Sequence, residues 1–228
     1  KIDCGVNNVY SIVMIQKVDG FWGLFRKQPI WFILVISLVI GPFFNGYAHI
    51  ILTGTVNLPF FFDSVATAVI AAVFGPAAGV LTGIATNWVI ELFQGFPLTT
   101  YPFGICGAMT GLIVGIFAKR KKFSTIPLFL LVTAIVTIAN SVSGAIISIF
   151  AYGGLAEDYL SFIVTGFITA GRSLFSAAFL ARIPVNLIDK GIAVAIAFVV
   201  YNRIYLQQPL CPSRIRYKGK PGKFSGLK

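Results

Sequence analysis

Asn87 and Glu91 stand one helical turn apart inside an apolar run, so on a helix their side chains share a face. His49, Asn57, Asp63, Tyr101 and Arg172 fall in or near the same side of the apolar runs, while Asn140 lies deeper in a later run and Asn186 near the start of the last one. Amides, carboxylates, an imidazole, a phenol and a guanidinium suit the holding of a small polar molecule by hydrogen bonds. Breaking bonds needs a paired acid and base or an activated nucleophile. The chain has no HExxH, GxSxG, Walker loop or CxxC, and its one histidine has no Ser or Cys placed to partner it. Cys4, Cys106 and Cys211 share no metal-binding spacing. A binding protein without catalytic group, metal or cofactor is the expectation.

What must position these groups is a membrane bundle. Of the 228 residues, 57% are hydrophobic and 11% charged, and the mean hydropathy is +0.88. Soluble domains carry about 25% charged residues, so an ordinary globular fold is excluded. Spans are read at about Ile30–Leu52, Phe60–Phe74, Ala77–Phe93, Tyr101–Ala118 and Ile126–Phe150. Gly41-Pro42 is expected to break the first, and Gly75-Pro76 to end the second. These runs lack the alternation of barrel strands, so each is helical. The fold class is therefore all-α: an integral membrane bundle of about six transmembrane helices, each needing roughly 20 residues.

Charge fixes the orientation. Arg26-Lys27, Lys119–Lys122 and the residues from Arg203 onward are basic, whereas the turns at 53–63, 95–101 and 151–158 hold no Lys or Arg. Basic segments stay on the cytoplasmic side, which makes the second set of turns extracytoplasmic. Of the net charge of +11, residues 203–228 contribute +7. That tail is Gly- and Pro-rich, expected to be disordered, and suited to anionic lipid headgroups, with no call for a nucleic-acid partner. Two apolar runs remain, 159–181 and 183–202. Two crossings would carry the basic tail outside, and Arg172 would sit at costly depth. The segment 159–181 is therefore expected to be a shallow, kinked or re-entrant helix, with 184–203 as the sixth span. The chain divides into a cytoplasmic segment at 1–28, a membrane domain at 29–205 and the basic tail at 206–228.

Several polar residues admit a purely structural role. Asp63 can cap the second span, Glu91 can mark a helix end at the interface, and Asn140 can bond a neighbouring helix. Arg172 asks for a carboxylate or an anionic ligand group. Phe60, Phe61, Phe62, Phe96, Tyr101 and Phe103 suit an interfacial belt or the walls of a pocket for a flat aromatic molecule. Small residues recur every fourth position, including Ser37 and Gly41, and Gly79 and Gly83. They serve either packing within the bundle or the docking of another membrane subunit.

Phe62-Asp63-Ser64, the small residues Ala66 to Ala72, Phe74-Gly75-Pro76, Ala78-Gly79, Gly83 and Thr86-Asn87 form a stretch that resembles the substrate-binding S components of energy-coupling factor (ECF) vitamin transporters. Asn186-Leu187-Ile188-Asp189-Lys190 is similar to that family's approach to its final helix. The resemblance implies a six-helix protein of the cell membrane that captures a vitamin or related micronutrient from outside. It also implies partners: a transmembrane coupling subunit and two cytoplasmic ATPases. The loop at about 53–62 would be a lid. The family docks its coupling subunit through an Ala-x-x-x-Ala pair on the first helix, where this chain has Ser37-x-x-x-Gly41. Asn57, Asp63, Asn87, Glu91, Tyr101, Asn140, Arg172 and Asn186 are the expected substrate contacts; Ser37, Gly41, Gly79 and Gly83 are the expected docking residues. The alternative is a membrane sensor module of a signalling protein, which would feed a cytoplasmic signalling domain.

Overall fold

The computed structural model describes residues 28–55, 60–120, 123–155 and 158–205; most of the N-terminal segment, the basic tail and Asn57 lie outside them. Its helices are α1 (Ile30–Thr53), α2 (Val65–Phe74), α3 (Pro76–Phe93), α4 (Gly104–Lys119, led in by a 3₁₀ turn at Tyr101–Phe103), α5 (Ile126–Tyr152), α6 (Asp158–Thr169) and α7 (Leu174–Tyr205). Among the described residues, α1, α4 with its lead-in turn, α5 and α7 are long and apolar enough to cross a membrane.

Gly41-Pro42 does not break α1. Proline lacks an N–H and its ring crowds the carbonyl four residues back. Here the helix widens to π geometry over Ile36–Ile40 and continues, the adjustment by which helices absorb such a defect. Gly41 packs closely, since a Cβ there would lie 2.4 Å from Ile70 Cδ1 and that side chain would have to shift.

The second span is shorter than its hydropathy suggests. Residues 60–63 are not helical, and α2 has only 10 residues. At 1.5 Å per residue that is about 15 Å, half the hydrocarbon thickness. Phe62 has φ +50° and Asp63 is drawn into an ion pair with α7, so the helix cannot begin before them. Gly75, at φ +101°, ends α2 as expected, and Pro76 opens α3. Pro76 packs against Gly115 near the basic end of α4. The start of α2 therefore lies about halfway up the bundle, and the space above it is left to the non-helical segment 60–64 and a cavity.

The run 159–181 divides at Gly171 (φ +82°). Its first part is α6, whose 12 residues are too few to cross, and its second part already belongs to α7. The expected boundary near residue 183 is absent: α7 runs 32 residues straight through Pro184. Tyr201 Oη donates to the Ala118 carbonyl at 3.2 Å, placing the far end of α7 beside Lys119. One crossing thus brings Arg203 to the same end of the bundle as Lys119.

Two cores frame the cavity. Ala68, Ala71, Val114, Val136, Val194 and Tyr201 pack α2, α4, α5 and α7 together below it. Above, Leu160 and Val164 of α6 pack on Ala177, Ala178 and Ala181 of α7, with Phe60 and Phe61 laid against them.

Candidate functional site

The cavity above α2 measures about 410 Å³, within the roughly 300–1,000 Å³ usual for small-molecule sites. His49 and Thr53 of α1, Asn87 and Ile90 of α3, Cys106 of α4, Asn140 and Gly144 of α5, and Arg182, Asn186 and Lys190 of α7 line it. Phe61 and Asp63 close one side; Gln94, Thr99, Thr100 and Phe103 close the outer end. Of the substrate contacts expected from sequence, Asp63, Asn87, Asn140 and Asn186 are brought together here.

The amides are held by their own bundle. Asn140 Nδ2 donates to the Val136 carbonyl and to Thr110 Oγ1, both at 2.9 Å. With both N–H groups spent, its free capacity is the acceptor Oδ1. Asn186 Nδ2 donates to Ser141 Oγ at 3.1 Å, and Asn87 Nδ2 to the Gly83 carbonyl at 3.4 Å.

Beneath the amides lies a buried charge cluster. Lys190 Nζ donates to Asp63 Oδ1 at 2.8 Å and to Ser64 Oγ at 2.7 Å, and pairs with Asp189 Oδ2 at 2.6 Å. Asp189 Oδ1 accepts the Phe62 backbone N–H at 2.8 Å. Phe61 lies with its ring centroid 5.7 Å from Nζ, a cation–π contact. The cluster therefore holds the segment 61–64 against α7. Asp63 does not cap α2: Ser64 occupies the cap position without a side-chain bond, because Lys190 has claimed the carboxylate. In the sequence, Asp189 and Lys190 stand out only as part of the stretch leading into the last helix.

Glu91 faces the turn above the cavity. Its carboxylate, fully buried, accepts from the Leu98 N–H and Thr100 Oγ1 at 2.8 Å, from the Tyr101 N–H at 2.9 Å, and from the Thr100 N–H. Its acceptor capacity is thereby committed to the 94–101 turn. Replacing Glu91 with Ala strands these donors, at about 1–3 kcal/mol for each that stays buried. Amide exchange at 98–101 should accelerate, and ligand affinity should fall about tenfold because Thr99 and Thr100 line the cavity. Unchanged exchange in that turn would refute the anchoring role.

Tyr101 is exposed and stacks on Trp88 with centroids 5.4 Å apart. It lines a lipid-facing groove with Ile105, Ile146 and Phe150 instead of the cavity, as aromatic residues of an interfacial belt do. Arg172 is exposed in the α6–α7 turn, its N–H bonded to the Phe167 carbonyl at 3.0 Å. Because Gly171 ends α6, Arg172 is not inside a span and does not reach the cavity. The buried guanidinium is Arg182, whose Nη1 donates to the Ala178 carbonyl at 3.1 Å. Arg182, Asn186 and Lys190 recur every fourth residue and so share one face of α7. That signal is legible, but dividing the apolar runs between 181 and 183 hides it.

The small residues point inward. Ser37 is fully buried, and Gly41 lies against Ile70 and Thr82. A Cβ on Gly79 would fall 2.4 Å from Ala71 Cβ and 2.9 Å from Gly111 Cα, and one on Gly83 would fall 2.2 Å from the Gly107 carbonyl carbon. These four serve packing within the bundle, which takes them off any docking face.

A family model described as the S component of ECF-type riboflavin transporters matches the chain over residues 36–206. No curated protein and no solved structure was found to match. The matched region contains every described helix from the middle of α1 to the end of α7, and with it every residue of the cavity. The chain belongs to this family: it is a multi-pass membrane protein, the substrate-binding S component of an ECF-type transporter, and not an enzyme.

Proposed function

We propose that the chain captures riboflavin from the outer side of the cell membrane and passes it to a transmembrane coupling subunit driven by two cytoplasmic ATPases. The observation that carries this reading is the cavity's lining. Phe61, Ile90 and Phe103 offer apolar and aromatic wall, while Asn140, Asn186, Thr99, Thr100 and Arg182 offer separate acceptors and donors. A flavin is a flat tricycle with an apolar edge, an imide edge alternating carbonyl, N–H and carbonyl, and a polyol chain. It needs both kinds of wall.

Charge supports an uncharged ligand. Lys190 Nζ donates to Asp63 Oδ1 and Ser64 Oγ and lies 2.6 Å from Asp189 Oδ2 as an ion pair. The ammonium at the cavity floor is thus paired within the protein before any ligand arrives.

Protein purified from cells fed riboflavin should carry a flavin absorption spectrum, and titration of stripped protein should quench riboflavin fluorescence as the ring enters an aromatic site. Excess thiamine or biotin should not displace it. Absence of bound flavin, or displacement by either unrelated vitamin, would overturn the assignment.

A further inference from the structure

His49 stands near the outer end of α1, and its ring forms part of the cavity wall. Nδ1 lies 2.6 Å from the Phe61 carbonyl oxygen. A carbonyl can only accept, so the proton of that bond belongs to Nδ1. In the neutral imidazole the second nitrogen, Nε2, then carries a lone pair and no hydrogen. Among the described residues, Nε2 bonds to none, and the ring that carries it lines the cavity. The nearest carboxylate, Asp63, is held by Lys190. Phe61 cannot drift from the ring either, because its neighbour Phe62 is tied to Asp189. The ring's tautomer and orientation are therefore fixed by the protein before a ligand binds, as a partner on one imidazole nitrogen fixes the role of the other.

We infer that His49 Nε2 is a hydrogen-bond acceptor for the ligand, and that it determines specificity by requiring an N–H or O–H donor at that wall. The inference rests on the flavin reading above. A flavin has donors at two ends, the imide N–H and the polyol hydroxyls, and Nε2 pairs with one of them.

Two analogues separate the ends: N3-methylriboflavin lacks the imide donor, and lumiflavin lacks the polyol. Two variants separate the nitrogens. His49→Asn places an amide nitrogen near the Nδ1 position and leaves nothing at Nε2, whereas His49→Gln places its amide group near Nε2. Affinities for the three flavins are read by fluorescence titration on the full chain in detergent. In the wild type, one analogue should bind at least about tenfold more weakly than riboflavin because a site acceptor is left unpaired. That ratio should collapse to within about twofold in His49→Asn and persist in His49→Gln. Both ratios unchanged in the Asn variant, or the large ratio lost in the Gln variant, would overturn the role of His49 alone. A wild type that binds no flavin would instead overturn the vitamin assignment, and this inference with it.

Discussion

Lys190→Met should abolish ligand binding and lower the thermal midpoint of the purified protein more than any other single change at the cavity. The ammonium is buried, and it is the shared partner of Asp63, Asp189 and Ser64. Removing one member of a buried ion pair leaves an uncompensated charge, at a cost of about 3–5 kcal/mol; here two carboxylates are orphaned within the same cluster. At about 1.4 kcal/mol per decade, even the lower figure exceeds a hundredfold shift in the folding equilibrium. The local consequence is as large. The polar ties of segment 61–64 to α7 run from Asp63 and Ser64 to Lys190 and from the Phe62 N–H to Asp189, and that segment carries Phe61 into the cavity wall. The two effects separate in a triple variant, Asp63→Asn with Lys190→Met and Asp189→Asn. Removing the orphaned charges should recover most of the thermal midpoint. Affinity should stay low, because neutral amides hold the segment less firmly than the ion pairs do. A Lys190→Met protein with wild-type midpoint and affinity would show that the cluster is dispensable.

How far the fold was legible follows from which signals are local. Hydropathy and the Gly75-Pro76 punctuation are local, and they place α3, α4 and α5 within a few residues of their observed bounds. The sites at which the reading and the structure part are those where tertiary contacts override a local rule. Pro184 is a helix breaker by rule, yet in α7 it sits inside a 32-residue helix; membrane helices tolerate proline where neighbours and local adjustment satisfy the freed backbone groups. Residues 60–62 are as apolar as any helix, yet Lys190 and Asp189, 127 residues away, hold Asp63 and Phe62 out of helical geometry. The same two events decided the site. Asn87, Asn140 and Asn186 were recognisable because an amide in an apolar run has few other uses. Arg182 was hidden by the false boundary, and Lys190 by the absence of any local hint that its partners would be Asp63 and Ser64. Glu91 was conspicuous for the right reason, a carboxylate in apolar surroundings, but its partners are backbone donors of a turn that periodicity does not describe.

The α3–α4 contact should be the least forgiving place in the bundle, and Gly83→Leu should prevent recovery of folded, monodisperse protein. A Cβ at Gly83 would sit 2.2 Å from the carbonyl carbon of Gly107, 2.4 Å from its oxygen and 2.6 Å from the Ala108 nitrogen. All three are backbone atoms, so no rotamer change can relieve the overlap and the helices themselves must separate. Overpacking a well-filled core costs about 1–3 kcal/mol where side chains can adjust, and more is expected where only backbone can move. The milder Gly83→Ala should still fold in part, with ligand affinity reduced by about tenfold or more. That loss has a direct route to the site. Asn87 is one turn above Gly83 on α3, and Cys106 immediately precedes Gly107 on α4, so helices forced apart at Gly83 carry two walls of the cavity with them. Gly166→Ala in α6 is the matched control, since a Cβ there meets nothing within 4 Å and alanine favours the helix. It should leave thermal midpoint and affinity unchanged or slightly improved. If Gly83→Ala behaves as Gly166→Ala does in size-exclusion, thermal unfolding and flavin titration, α3 and α4 do not meet this closely, and the cavity's shape cannot depend on their contact.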